Sequence, residues 1–395
     1  MSPQAPELYT VMQMNRSVAD VGTDGRCVVH SPDLMPYNLY LEETAGTTDF
    51  CTEHSYADDI DTRLNNLENF YHWCSSRVLT LDRKYAKEIL NSIGRKQAVT
   101  DRDRADIAIT YHGLTLTDSF WIRRCDENVS FEDINLYDHP LSDAFVDVAL
   151  KGKQLTAQNS ELLDRLDAAG DIGTLGLSPK AWIRRAGTFY LLKDGKKRDV
   201  EAELLASRIL DCFAVEHVQY SEDIFAGVKV SRSKLITSKE KSIVPFEYVE
   251  VFAANHDTDG LSLVRKYDNY SYCMMNIVDY LVGNVDRHWG NWGLLVDNLT
   301  NEPMKLHPLM DFNRSFESYD RIDGARCLTV HGTVSQKDAA VEAVRQIGLN
   351  QTADIPEEWF TAKTRKKMFF RRLEILKAAE KSENRSIAAK TETVE

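Results

Sequence analysis

The stretch from Gly283 to Asn313, GNVDRHWGNWGLLVDNLTNEPMKLHPLMDFN, limits the folds open to this chain more than any other. Asp286 is followed five positions later by Asn291. The apolar run 292–296 predicts a strand, 297–302 a polar turn, and a second short apolar run ends at Asp311-Phe312. A hairpin of this kind returns the second acid to the loop that carries the first. An acid, an amide and a second acid gathered in this way are the layout of a phosphoryl-transfer site. That chemistry needs positioned metal ions and an oriented hydroxyl more than covalent help from the protein. Asp286 is the candidate to accept the hydroxyl proton or to hold the hydroxyl in line. Asn291 offers a neutral oxygen and Asp311 an anionic one, which suits Mg2+, a hard ion that keeps several waters.

Each residue alone has a plainer reading. An Asp after a Gly-Asn turn is commonly a helix cap, and an Asp before Phe a strand end. It is the spacing, with apolar strands between, that favours chemistry. His288 has two readings: a hydrogen-bonded brace for the loop, or a catalytic group near the transferred phosphate. Arg287 lies inside the loop, Asn284 fits the bracing role, and Trp289 and Trp292 fit packing better than base stacking.

Upstream, Gly170, Gly173 and Gly176 lie in a small-residue stretch that ends Leu177-Ser178-Pro179-Lys180. Residues 181–185 and 188–193 then predict a hairpin turning at Ala186-Gly187. A helix over 200–213 follows, with Glu203 in its first turns. Strands are expected at 217–220, 227–230 and 234–237. Glycine loop, hairpin, lysine, helix with an early glutamate, further strands: this is the order of a kinase-type nucleotide-binding lobe. A lysine held by a glutamate can reach the α- and β-phosphates. Lys193, at the strand end, and Glu203 are the candidates. Lys196, Lys197 and Glu201 lie close enough to compete. The chain has neither G-x-G-x-x-G nor GxxxxGK[ST], yet residues 173–180 could wrap phosphates with backbone N–H groups, Lys180 adding charge. Thr174 and Ser178 lie where phosphorylation would block such a loop.

The net charge of −13 argues against broad attraction to nucleic acid. No apolar run approaches the roughly 18–20 residues that span a bilayer, and no basic-then-apolar leader opens the chain. These features point to a cytoplasmic protein. The seven cysteines form no CxxC pair and are expected to be reduced. The histidines show no HExxH. The expected division is an N-terminal extension over 1–75, an accessory subdomain over 76–160 that packs on the next lobe, and a nucleotide-binding lobe over 161–267. A helical lobe with the catalytic loop and metal site follows over 268–380, then a polar, frayed tail over 381–395.

With these residues in view, roughly residues 140–375 resemble the HipA-like serine/threonine kinases, relatives of the protein-kinase fold. Gly-Asn-Val-Asp-Arg-His-Trp-Gly-Asn at 283–291 with Asp311 after it carries most of the resemblance. The same loop is similar to the Asp-Arg-His-x-x-Asn loop of phosphoinositide kinases. The resemblance implies an α+β, two-lobed protein-kinase-like fold with an N-terminal extension. It implies ATP and Mg2+ as cofactors, with Asp286 catalytic and Asn291 and Asp311 binding the metal. Lys193 would contact ATP, and Leu177-Ser178-Pro179-Lys180 would be the phosphate loop. A protein serine or threonine would be the acceptor, and an antitoxin-like regulator a partner. Autophosphorylation at Thr174 or Ser178 would shut the enzyme off. A small or inositol-like alcohol as acceptor, and a nucleotide-binding module without transfer, are the competing readings. The first 75 residues have no counterpart in the family, and Asp311-Phe312-Asn313 stands where the family has a tyrosine-aspartate ending.

Overall fold

The computed structural model describes residues 6–44, 60–92, 100–141, 143–152, 172–173, 178–317 and 319–392. Three antiparallel sheets organise it. The first contains β1 (Leu8–Gln13), β2 (Arg16–Gly22), β3 (Cys27–Val29) and β4 (Phe120–Arg124), in the order β3-β2-β1-β4. Its core is shared with α1 (Ile60–Ser76), α2 (Ala86–Ser92), α3 (Asp101–Thr110) and α5 (Asp143–Lys151), while the short α4 (Phe131–Ile134) belongs to a smaller cluster around Trp121. The expected boundary at 75/76 therefore falls inside one unit. β1 pairs with β4 residue for residue, Val11 opposite Ile122 and Met12 opposite Trp121. Phe70 and Trp73 share a core with Ile89 and Ala105. Extension and accessory subdomain are a single N-terminal unit, closed by a strand pairing that local patterns cannot reveal.

The second sheet contains β5 (Lys180–Arg185), β6 (Thr188–Lys193), β7 (Tyr220–Phe225) and β8 (Val228–Lys234), in the order β5-β6-β8-β7. The β5–β6 turn falls at Ala186 (φ 47°) and Gly187 (φ 79°), two left-handed residues whose twist matches that of the strands they join. α6 (Lys197–Leu210) leaves β6. Of the strands expected after it, 227–230 falls on β8 and the other two are displaced. β7 starts at Tyr220, residues 235–237 lie outside any strand, and His217 makes one bridge, to Leu309. β7 is half-exposed and polar through its middle, Ser221-Glu222-Asp223, which hid it from an apolar-run criterion.

The third sheet, β11-β10-β9, contains β9 (Lys241–Pro245), β10 (Gly293–Asp297) and β11 (Pro303–Leu306). With it stand α7 (Phe246–Asn255), α8 (Gly260–Val282), α9 (Gln336–Ile347) and α10 (Lys363–Glu392). The helical lobe thus begins at β9, not at 268. β9 pairs only with β10, and Val244, Phe246 and Val264 lie in the core built by α8. The expected polar tail is helical as far as Glu392.

Two large apolar cores result. One joins the N-terminal unit to the inner face of the second sheet through Ala181, Leu192 and Val230. The other joins the helical lobe to α6 through Ala202, Ala206, Ile209 and Leu210. The seam between them runs between β6 and α6. Among the described residues no helix is long and apolar enough to cross a membrane. Among the described residues Cys27, Cys74, Cys125, Cys212, Cys273 and Cys327 form no disulfide; Cys51 lies outside the described residues.

Candidate active site

α8 ends at Gly283, whose left-handed φ of 62° turns its N–H back onto the carbonyls of Asp279 and Tyr280. A Cβ there would lie 2.4 Å from Tyr319 Cδ2, so only glycine fits. The last turn of α8 carries Asp279, 5% exposed. It accepts Arg287 Nε at 2.8 Å, Arg287 Nη2 at 3.0 Å and Asn284 Nδ2 at 3.1 Å. Buried carboxylates persist only when paired and hydrogen-bonded in this way. Arg287, 2% exposed, spends its remaining nitrogen on the carbonyls of Asn291 (2.9 Å) and Met310 (2.5 Å). One guanidinium thus ties α8, the Asp286–Asn291 loop and the residue before Asp311. Asn284 Oδ1 accepts the Asp286 N–H at 3.2 Å, and Gln336 Nε2 donates to the Asn284 carbonyl at 2.5 Å.

Asp286 is half-buried. Burial raises its carboxyl above the ordinary range; His288 opposes the rise and Asp311 adds to it. His288 is exposed, and its Nδ1 accepts the Gly290 N–H at 3.1 Å. A neutral ring in that role carries its proton on Nε2. Trp292 is fully buried and stacks on Phe246 at 4.1 Å, while Trp289 sets its edge on the same ring. Asn291 is buried, and its Nδ2 donates to the Asp286 carbonyl at 2.8 Å. Its Oδ1 has no hydrogen bond among the described residues.

The second sheet supplies the opposite wall. Lys180 pairs with Lys193 across β5–β6, and Lys193 pairs with Ser231 across β6–β8. Directly opposed residues share a face, so the three side chains stand in one row. Lys193 Nζ lies 3.0 Å from Glu203 Oε1 and 2.9 Å from Asp311 Oδ1. Glu203, 1% exposed, also accepts Ser231 Oγ at 2.5 Å. Asp311 has a left-handed φ of 60° and donates its N–H to Tyr220 Oη at 3.1 Å. Burial alone would raise the Asp311 carboxyl, but Lys193 and Lys180 outweigh it and hold it at about 2. Burial would lower Lys193, but Asp311 and Glu203 keep it well above the usual lysine range. Lys180 goes the other way. Burial and then the Lys193 charge bring it down to about 8, with Asp311 opposing. Its ammonium has no ion pair or hydrogen bond among the described residues.

The structure therefore sets Lys180 and Lys193 of the second sheet against Glu203 of α6 and Asp311 of the helical lobe, and ties Asp286 and Asn291 to the Asp311 side through Arg287. Ser178 is half-buried two residues before Lys180; Thr174 lies outside the described residues. Glu201 faces outward, its side chain 59% exposed near Lys197, so it does not compete with Glu203. Sequence reading missed Asp279, Ser231 and Tyr220. Asp279 had a signal: it is a lone acid in the apolar run 277–282. Ser231 and Tyr220 had none, because strand register places them.

Among the described residues no three His, Cys, Asp or Glu side chains could hold a metal by themselves. The donor set fits a hard divalent ion that shares its shell with water and phosphate: the Asp311 carboxylate and the unbonded Asn291 Oδ1. Asn313 Oδ1, two residues on, is buried without a hydrogen-bond partner.

No protein-family model matches the sequence, and no curated protein matches it. Among solved structures, the chain is similar to the proinflammatory kinase CtkA of Helicobacter pylori, at 15% identity and TM-score 0.43, covering 53% of this chain and 92% of that one. It is also similar to the Shewanella oneidensis MR-1 toxin–antitoxin complex of HipA, HipB and operator DNA, at 11% identity and TM-score 0.42, covering 79% of each chain.

Proposed function

We propose that this chain is an ATP- and Mg2+-dependent kinase of the HipA-like type that transfers the γ-phosphoryl group to a protein serine or threonine. The observation that carries the reading is the Lys193 ammonium, held 3.0 Å from Glu203 and 2.9 Å from Asp311 while Arg287 joins the Asp286–Asn291 loop to the same point. Lys193, fixed by Glu203, presents its charge to the nucleotide phosphates, and Lys180 beside it adds a positive charge that has no ion pair among the described residues. Asn291 Oδ1 and the Asp311 carboxylate are the groups that would hold Mg2+, which would offset charge on the phosphate oxygens. Asp286 takes the proton of the acceptor hydroxyl as its oxygen bonds to phosphorus and the bond to the departing ADP oxygen breaks. A carboxyl raised by burial is a better base than an ordinary one. His288, with Nε2–H free of the loop, donates toward the acceptor side.

A regulatory role for Thr174 or Ser178, an antitoxin-like partner and a cytoplasmic setting belong to the same proposal. The test is incubation with γ-labelled ATP, Mg2+ and a cell lysate. Label is expected in protein serine or threonine, and it should vanish with Asp286→Ala while ATP binding persists. Label in the small-molecule fraction would move the acceptor to an alcohol such as an inositol. ATP binding without turnover would leave a nucleotide-binding regulatory module.

A further inference from the structure

The N-terminal unit touches both walls of the cleft, and it does so by different means. On the β5–β8 side it shares an apolar core with Ala181, Leu192 and Val230, and Arg83 donates to the carbonyl of Lys180 itself. A common core makes unit and sheet one body. On the helical side Tyr37 alone among the described residues enters the apolar core, beside Phe252 of α7, and the other contacts are polar, on the turn of the β10–β11 hairpin and on β9. Arg16 donates Nη1 to the Leu299 carbonyl and Nη2 to the Asn298 carbonyl, both at 2.5 Å. Asn301, left-handed at φ 59°, donates to the carbonyls of Met35 (2.9 Å) and Asp33 (3.3 Å). Tyr37 returns a hydroxyl to the Asn301 carbonyl at 3.2 Å and sets its ring 4.9 Å from Phe252. The Ile243 N–H of β9 donates to the Thr117 carbonyl at 3.0 Å.

That hairpin is the segment between Asn291 and Asp311. The seam between the two large cores passes through the site, between the second sheet and the helical lobe, where the ion pairs Lys193–Glu203 and Lys193–Asp311 cross it. We propose that the N-terminal unit is a clasp across this seam. It moves with the β5–β8 sheet, grips the helical lobe at the β10–β11 turn through Arg16, Tyr37 and Asn301, and so sets how readily the cleft opens to exchange nucleotide. Cleft opening and product release commonly limit turnover in two-lobed enzymes. The exchange part of this inference rests on the nucleotide-binding reading above; the mechanical part does not.

Two measurements on the full-length protein separate these parts, using Arg16→Ala combined with Asn301→Gly. Glycine keeps the left-handed backbone at 301 and removes only the amide. Hydrogen exchange followed by mass spectrometry reports the mechanics. Expected is faster exchange on both walls, over 188–193 and 307–313, and not only in the turn over 297–302. Exchange that rises in the turn alone would overturn the clasp, since the contacts would then be local. Stopped-flow release of a fluorescent methylanthraniloyl-ADP with Mg2+ reports the exchange. Expected is a release rate about tenfold faster, the scale on which losing one or two charge-assisted hydrogen bonds acts. An unchanged release rate with both walls loosened would overturn the link to exchange. Wild-type protein that binds no ADP, with both walls still loosened in the variant, would sink the kinase reading and leave the clasp standing. Should the double variant not fold, Arg16→Lys, which keeps the charge but not the two-pronged contact, gives the same readouts at smaller amplitude.

Discussion

At the scale of single residues, position in a strand ladder decides which cations matter. Lys193, Lys196 and Lys197 look alike in the sequence. Only Lys193 falls inside β6, opposite Lys180 and Ser231, with its ammonium on the buried face; Lys197 is exposed beside Glu201. The crowding of Lys180 by Lys193 has a measurable consequence. Held at about 8 by burial and its neighbour, Lys180 is charged below that pH and neutral above it. Its contribution to phosphate binding is therefore present below about 8 and lost as pH rises through that value. Calorimetric titration with ATP from pH 7 to 9.5 should show affinity falling across this window, and Lys180→Arg, always charged, should stay flat. The protein's own stability responds with the opposite sign. Between about 8 and 10.5 the unfolded chain holds the Lys180 proton and the folded one does not, so stability rises with pH there. Asp286 yields a second prediction. Its replacement by Asn should lower the transfer rate by roughly 10²–10⁴, the usual worth of a positioned base, and leave ATP affinity within a few-fold in the same titration.

At the scale of elements, the sequence showed the parts of the site that are local and hid those that depend on register or on a buried partner. The acid, the amide five residues on and the hairpin were legible because spacing and apolar runs are local signals. The device that makes them converge was not. Arg287 looked like a loop residue, and Asp279 like a helix residue, yet together they carry the geometry. Asp279→Asn keeps the shape and removes the charge. It should cost roughly 3–5 kcal/mol by leaving Arg287 unmatched in the core, read as a loss of unfolding free energy in urea. Gly293 makes a related point for the strands. A Cβ there would lie 2.1 Å from the Val244 carbonyl oxygen and 2.8 Å from the Phe246 nitrogen, both backbone atoms that cannot step aside. Gly293→Ala should therefore force β9 from β10 at a cost of roughly 1–3 kcal/mol or more. Nucleotide affinity should fall with it, because β10 runs on from Asn291 and its hairpin leads to Asp311. Unchanged melting in that variant would contradict the β9–β10 register described above.

At the scale of the whole molecule, the division of the chain by cores differs from its division by sequence. The lack of a counterpart in the family it resembles set residues 1–75 apart as an extension, and nothing local could say otherwise. The partner of β1 is β4, far along the chain, and that pairing places Val11 against Ile122 in a core that also holds Leu192 of β6. The β5–β8 sheet is small, and its inner face finds cover in the N-terminal unit, because α6 packs with the helical lobe instead. A chain that begins at residue 76 would lose β1, β2 and β3 together. β4 would be left without a neighbour, and the apolar surface around Trp121, Ile122, Ala181 and Leu192 would be bared. An exposed strand edge beside a bared core is an aggregation site. Such a chain should be insoluble, or should keep helical far-ultraviolet signal while losing the near-ultraviolet signal of its packed tryptophans. A soluble truncated protein with native near-ultraviolet dichroism would show instead that the second sheet can be buried without the N-terminal unit, and would return residues 1–75 to the status of an appendage.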